Sequence, residues 1–144
     1  DYAQRQAEQW DRPLGDLGFF TVGLRVLFDW LGDNPHILRL SAWARLEGTS
    51  FTSDASDIEN AVRAQVDHMR AVGVIRPEVD TTLALVLVDS AFKGYWDRRQ
   101  ELATRMQGDP ELESLDVRYR RTAIEVLLRG LLTPDALSEA LSQL

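Results

Sequence analysis

The sequence predicts an all-α fold, a bundle of six to seven helices joined by short loops. Three observations predict this fold. Apolar residues recur every three to four positions along most of the chain, which is the period of an amphipathic helix. Glycine, asparagine and proline stand where these stretches begin and end. No stretch shows the sustained alternation of apolar and polar residues that is typical of a half-buried strand.

Bulk composition limits the classes of protein that fit. The chain has 144 residues, which predicts a single domain spanning residues 1–144. It contains no cysteine, so disulfides, thiol nucleophiles and thiolate zinc sites are excluded. Its net charge is −7 and Lys93 is its only lysine, so this stretch of chain is not expected to bind DNA or RNA itself. No apolar run approaches the ~20 residues of a membrane span, and no membrane partner is expected.

The first part of the chain predicts two complete helices. Residues 1–12 are expected to be the tail of a linking helix. Asp16–Leu31 carries a wide apolar face at helical spacing. Asn34 and Pro35 are then suited to the N-cap and first position of the next helix, which is expected to end near Gly48.

Three longer helices and a short one follow. Asp54–Val72 has acidic residues in its first turn, where they suit the helix dipole. Asp80–Met106 is the central helix, with Asp80 as its predicted N-cap. Leu115–Leu132 is amphipathic, and a short helix is expected to begin after Thr133.

The central helix is unusual because six consecutive apolar residues, Leu83–Val88, open it. Periodicity alone does not separate such a run from a buried strand, but its continuation into Phe92, Tyr95 and Trp96 without a turn favours a helix. A helix that is apolar nearly all round must be covered on more than one side. Gly94 within it indicates either close approach by a neighbour or a simple surface position.

Motifs that carry chemistry are missing from the sequence. Neither of the two histidines stands in a Glu-x-x-His pair, so a di-metal site is not expected, and no phosphate-binding or nucleophile motif is present. Asp89 either faces a cation such as an arginine, lines a polar spot in a cavity, or lies on the helix surface. His68 is either a part-exposed residue near a helix end or a hydrogen-bonding group in a pocket.

Aromatic residues from four segments are the strongest indication of a binding site. Ligand pockets are mostly apolar and aromatic, with a few polar groups that orient the ligand. The same residues could instead simply fill the core. The set is Phe20, Phe28, Trp30, Trp43, Phe51, Phe92, Tyr95 and Trp96.

The order of these features resembles a known family. A helix ending in "FDWLGDNPHILRL" is followed by "GVIRPEVDTTLALVLVDSAFKGYW", and the chain closes with "VLLRGLL". This succession, from Asp16 to Leu132, resembles the C-terminal domain of the TetR family of transcriptional regulators. The family's N-terminal helix-turn-helix is absent here, so DNA binding is carried over to no residue of this chain.

The resemblance implies a division of labour among the helices. The helices at Asp16–Leu31, Asn34–Glu47 and Asp54–Val72, with the central helix, would surround a small-molecule pocket. The helices at Asp80–Met106 and Leu115–Leu132 (residues 80–132) would pair with their copies as a four-helix bundle in a homodimer. DNA would be contacted only through the absent N-terminal domain of a cytoplasmic regulator, with no enzymatic activity and no cofactor.

Helix faces then give candidate site residues for an apolar or aromatic effector. The ligand-binding candidates are Phe20, Leu24, Phe28, Trp43, His68, Met69, Phe92 and Trp96. The dimer-interface candidates are Leu85, Val88, Tyr119, Ala123, Val126, Leu127 and Gly130. The alternative hypotheses are an uncharacterised enzyme, which the missing catalytic set disfavours, and an α-helical adaptor, which would need an exposed apolar groove.

Overall fold

The computed structural model describes residues 16–49, 55–106 and 115–142. These residues are helical, with one isolated β-bridge and no strand, which confirms the all-α prediction. None of the described helices is long and apolar enough to cross a membrane. The predicted tail at residues 1–12, Phe51 and the loop at 107–114 lie outside the described residues. The helices are α1 (Asp16–Asp33), α2 (Pro35–Leu46), α3 (Ala55–Ala71), α4 (Thr81–Arg105), α5 (Leu115–Leu131) and α6 (Pro134–Leu141).

Helix α1 lies at the centre of the packing and contacts α2, α4, α5 and α6. Its apolar face buries Leu24, Phe28 and Leu31, whose exposed fractions are 5%, 1% and 1%. The seven-residue span from Leu24 to Leu31 covers two turns, so these side chains point the same way. The core therefore forms along this face, while α3 packs against α4.

Local capping explains where the helices begin. The carboxylate of Asp80 accepts a hydrogen bond from the Leu83 amide at 2.9 Å, which confirms the predicted N-cap of α4. Asn34 precedes Pro35 as expected, but its side chain donates to the Trp30 carbonyl at 2.8 Å instead of capping α2. Asn34 thus stabilises the end of α1.

The C-terminal end of α3 is tied to the C-terminal end of α5. Gly73 has a φ of +80°, a left-handed conformation that reverses the chain after α3. Ile75 and Leu132 then form an antiparallel bridge. The Arg76 guanidinium donates to the Leu132 carbonyl at 2.8 Å and to the Arg129 carbonyl at 3.3 Å. These bonds satisfy carbonyls that the end of α5 would otherwise leave without partners.

Only part of the apolar face of α2 packs inward. Leu38 and Ala44 are buried. Three large apolar side chains point outward instead, because the helix is covered on one side by α1 and α4 and open on the other. These are Leu40, Trp43 and Leu46.

Candidate functional site

Aromatic rings gather around Phe28 in the interior of the bundle. Its ring centroid lies 5.3 Å from that of Phe92 and 5.5 Å from that of Tyr95. It lies 5.0 Å from Trp96 and 6.0 Å from Tyr119. Separations of this size give favourable ring contacts beyond simple burial. Because the five rings come from α1, α4 and α5, one cluster joins these three helices.

Trp96 holds the end of α1 against α4. Its Nε1–H donates to the Phe28 carbonyl at 2.9 Å. A Cβ added at Gly32 would lie 2.4 Å from the indole ring, so the ring fits only because this position has no side chain. The indole also lies 5.9 Å from the Arg99 guanidinium, within cation–π range.

A polar network borders the aromatic cluster. Tyr95 donates its hydroxyl hydrogen to Asp116 at 2.5 Å, and Arg99 donates to the two oxygens of the same carboxylate at 2.6 and 2.9 Å. The hydrogen bonds from Arg99 lower the pKa of Asp116 below its ordinary value. Burial, aided by the Asp116 charge, raises the pKa of Tyr95. At neutral pH the network therefore holds one carboxylate, one guanidinium and one neutral phenol.

Tyr119 fastens α5 to α4 on the same side. Its ring stacks on Tyr95 with centroids 4.0 Å apart. Its hydroxyl donates to the Ala91 carbonyl at 2.9 Å, and burial raises its pKa. The cluster is therefore fixed both by ring contacts and by hydrogen bonds at its edge.

The cluster opens toward a surface cleft between α1 and α5. The cleft has a volume of about 420 Å³ and is partly spanned by Arg120, whose Nη1 lies 2.7 Å from each carboxylate oxygen of Asp29. A second depression of about 250 Å³ adjoins it along α5 and shares Val117 and Arg120 with it. The lining of the larger cleft is Asp29, Asp33, Trp96, Asp116, Val117 and Arg120.

The structure brings together some of the predicted ligand-binding residues. The rings of Phe92 and Trp96 both contact the ring of Phe28. Leu24 and Met69 are buried in the same core, and Phe20 packs at its margin. Their role as a binding site stays a prediction.

Two predicted ligand-binding residues lie elsewhere. Trp43 is 58% exposed on the outward face of α2, and His68 is exposed on α3. Sequence reasoning missed Gly32 and Asp116, which form one wall and the polar border of the ring cluster. Only the sequence neighbourhood of Tyr95 and Arg99, one helical turn apart on α4, could have drawn attention to this network.

Some of the predicted dimer-interface residues are buried or pack inward, and others are exposed. Val88 is buried within the chain. The other inward-packing members are Leu85, Tyr119, Ala123 and Leu127. Val126 is 64% exposed and Gly130 is also exposed.

Three large apolar residues of α4 that were not singled out face outward as well, namely Leu83, Val86 and Leu87. Together with Val126 they are called the outer patch below.

Asp89 is a surface residue of α4. Its side chain is 52% exposed and pairs with Lys93 one turn later at 2.8 Å. Of the alternatives that the sequence left open, the structure therefore supports the aspartate on the helix surface.

Comparison with known families gives one match. A model of the tetracyclin repressor-like C-terminal domain matches residues 16–129, which are most of the chain. No curated protein and no solved structure matches the chain.

Proposed function

This chain belongs to the tetracyclin repressor-like (TetR) family through its C-terminal domain, and on that premise we propose that it is the effector-binding and dimerisation domain of a transcriptional regulator. It would sense a small apolar or aromatic molecule. It would control DNA binding by an N-terminal domain that lies outside this sequence, in the cytoplasm. The net charge of −7 supports this assignment, because phosphate contacts then belong to another part of the protein.

The observation that carries the proposal is the ring cluster around Phe28. It joins α1 to α4 and α5, and the outer surfaces of α4 and α5 carry the outer patch. A ligand among the rings would thus act on the two helices that face a second subunit. It would shift the arrangement of those helices only by as much as it binds one arrangement better than the other.

The outer patch supports dimerisation. Leu83, Val86 and Leu87 are 61%, 54% and 62% exposed, although large apolar side chains gain free energy when they leave water. Val126 on α5 is 64% exposed as well. A second copy that applies the same patch by two-fold symmetry would cover all four side chains. The result would be a four-helix bundle built from two copies each of α4 and α5.

An adaptor that binds another protein is the second candidate. The outward face of α2 favours it, since Trp43 is 58% exposed and Leu46 is 87% exposed. Helical partners can bind such apolar faces. This function would require neither a ligand nor a two-fold interface.

Measurement of the solution mass across a dilution series separates the two functions. Light scattering after size exclusion is expected to show a dimer that persists at low concentration. A monomer at every concentration would contradict the regulator proposal and favour the adaptor. A fluorescence-based thermal-shift screen of small aromatic molecules against Phe28→Leu and wild type then tests the ligand part, with tighter binding expected in wild type.

A further inference from the structure

Trp96 differs from the other rings of the cluster in its surroundings. Phe28 and Phe92 are 1% and 0% exposed, whereas Trp96 is half-buried and forms part of the wall of the 420 Å³ cleft. Its indole therefore has open space on one side into which it can rotate. Phe28 and Phe92 have no such space.

The walls around the indole would fit another flat ring equally well. Phe28 lies 5.0 Å away at an interplanar angle of 39°, and Tyr95 presents an edge contact at 5.2 Å. The bare backbone of Gly32 forms a third wall, close enough that even a methyl group would clash. The Arg99 guanidinium lies 5.9 Å from the centre of the indole ring. The site is thus a slot for a planar aromatic system.

The slot also has one polar requirement. The Phe28 carbonyl accepts a hydrogen bond from the indole Nε1–H at 2.9 Å, part-buried from solvent. A buried acceptor that loses its donor costs free energy. A molecule that takes the place of the indole must therefore supply an N–H or O–H at the same edge.

We infer that Trp96 occupies, within its own protein, the binding site of a flat aromatic ligand that carries an N–H or O–H donor. The ligand enters through the cleft between α1 and α5, and the indole turns out into the cleft as the ligand takes its place. This inference rests on the proposed function and deepens it, because it names the chemical class of the effector. It also identifies the side chain that competes with the effector.

Competition has a quantitative consequence. If the indole-out arrangement is a minor state populated at roughly 0.1–10%, the apparent affinity of the ligand is reduced by that fraction. Removal of the indole ring abolishes the competition. Trp96→Ala should therefore bind the ligand about ten- to a thousandfold more tightly than wild type.

The experiment uses 5-fluoroindole as the probe, titrated into the full 144-residue chain labelled with 15N. Fluorine spectra report binding of the probe. Proton–nitrogen spectra report the indole N–H groups of the four tryptophans, of which that of Trp96 is assigned by its loss in Trp96→Phe. In wild type the probe is expected to bind, and the Trp96 N–H signal is expected to shift toward that of a solvent-exposed indole.

Two glycine substitutions in α1 provide matched variants. Gly32→Ala should abolish binding, because the added methyl group would lie in the slot, 2.4 Å from the present ring position. Gly23→Ala should leave binding unchanged, because nothing lies within 4 Å of its added Cβ. N-methyl-5-fluoroindole, which lacks the donor, should bind wild type about three- to tenfold more weakly than the probe.

Several results would overturn the inference. Binding to wild type without a change at Trp96 would place the ligand elsewhere, and the proposed regulator would stand. Absence of binding in wild type, whether or not Trp96→Ala binds, would show that the indole is a permanent part of the core. Unfolding of Trp96→Ala leaves the test intact, since the wild-type spectra and the glycine pair decide it. Each of these measurements reports on a single chain. A monomeric protein would therefore contradict the proposed function but would not decide whether Trp96 occupies a ligand site.

Discussion

The N-terminal half of α4, up to Ala91, exposes large apolar side chains, and its C-terminal half, from Phe92 on, exposes charged and polar ones. In the N-terminal half, Leu83, Val86 and Leu87 are more than half exposed. In the C-terminal half, Phe92 and Tyr95 are 0% and 2% exposed. The exposed positions of that half are charged or polar, among them Asp97, Arg98, Glu101 and Arg105.

This difference shows that apolar residues can occur in one helix for two different reasons. In the C-terminal half, the apolar side chains are covered by α1 and α5 of the same chain. In the N-terminal half, the chain supplies no cover for the outer patch within the described residues. Apolar character at the outer patch therefore fits association, and apolar character at the ring cluster fits folding and binding of a small molecule.

The largest expected effect is on the free energy of unfolding, which should differ between substitutions in the two halves of α4. Phe92→Ala should lower the free energy of unfolding by about 3–5 kcal/mol, because it removes a fully buried ring. Leu83→Ala, on the same helix but 61% exposed, should change it by less than about 0.5 kcal/mol. Urea unfolding of dilute protein, at a concentration where the chain is monomeric, measures both. Equal losses would remove the distinction between the two halves.

The second prediction concerns association. Leu87→Asp should raise the dimer dissociation constant roughly 30-fold or more, which corresponds to about 2 kcal/mol at a central interface position. Leu46→Asp is the matched control, because Leu46 is 87% exposed but lies on α2, away from the outer patch. Sedimentation velocity gives both constants. A dimer that is weakened by Leu46→Asp and unaffected by Leu87→Asp would move the interface to α2.

A smaller effect is expected at the polar border of the ring cluster. Asp116→Asn should cost about 1 kcal/mol at pH 7, since it weakens hydrogen bonds from Arg99 and Tyr95 that are partly exposed to solvent. The pKa of Asp116 is lowered in the folded state, chiefly by Arg99. Its contribution to stability is therefore complete above its ordinary pKa of about 3.9, and it is lost as pH falls through the lower folded value.

Acid unfolding followed by circular dichroism tests this direction. Wild type should lose stability below about pH 4, and Asp116→Asn should show a shallower loss over the same range. A variant that retains the full wild-type slope would show that other carboxylates cause the acid transition.

The smallest expected effect is the change in stability on substitution of Gly94, which tests whether a neighbour approaches α4 at this residue. A Cβ at Gly94 meets nothing within 4 Å in this chain, so Gly94→Ala should stabilise α4 by about 0.5–1 kcal/mol through helix propensity. Gly48→Ala should instead destabilise, because Gly48 has a φ of +66°. Thermal unfolding of dilute protein distinguishes the two signs. A gain in stability accompanied by a weaker dimer would show that a second copy approaches α4 at Gly94.

Helix existence and boundaries were predictable because their signals are local. Asp80 lies three residues before the amide that it caps, and Pro35 sets the start of α2 through its own ring. Helices α1 to α5 begin and end within two residues of the predictions. Asn34 is an exception, since its side chain donates to the Trp30 carbonyl of α1 instead of capping α2.

Site residues were harder to predict because a helix turns by about 100° per residue. Val88 was placed on the outer surface and is buried, while Leu87 beside it in sequence is exposed. Trp43 was predicted to bind the ligand and lies exposed on the outward face of α2. In a stretch that is apolar nearly all round, the pattern itself does not mark which side faces the rest of the chain.

By itself, the sequence determined the helical class, the helix ends and the family resemblance, because short-range hydrogen bonding and residue order carry them. The tertiary structure decided the rest. It joined Asp116 to Tyr95 across 21 positions and set the Trp96 indole against Gly32 across 64. Such contacts depend on how helices rotate and pack against one another, which is a property of the whole bundle and of no single segment.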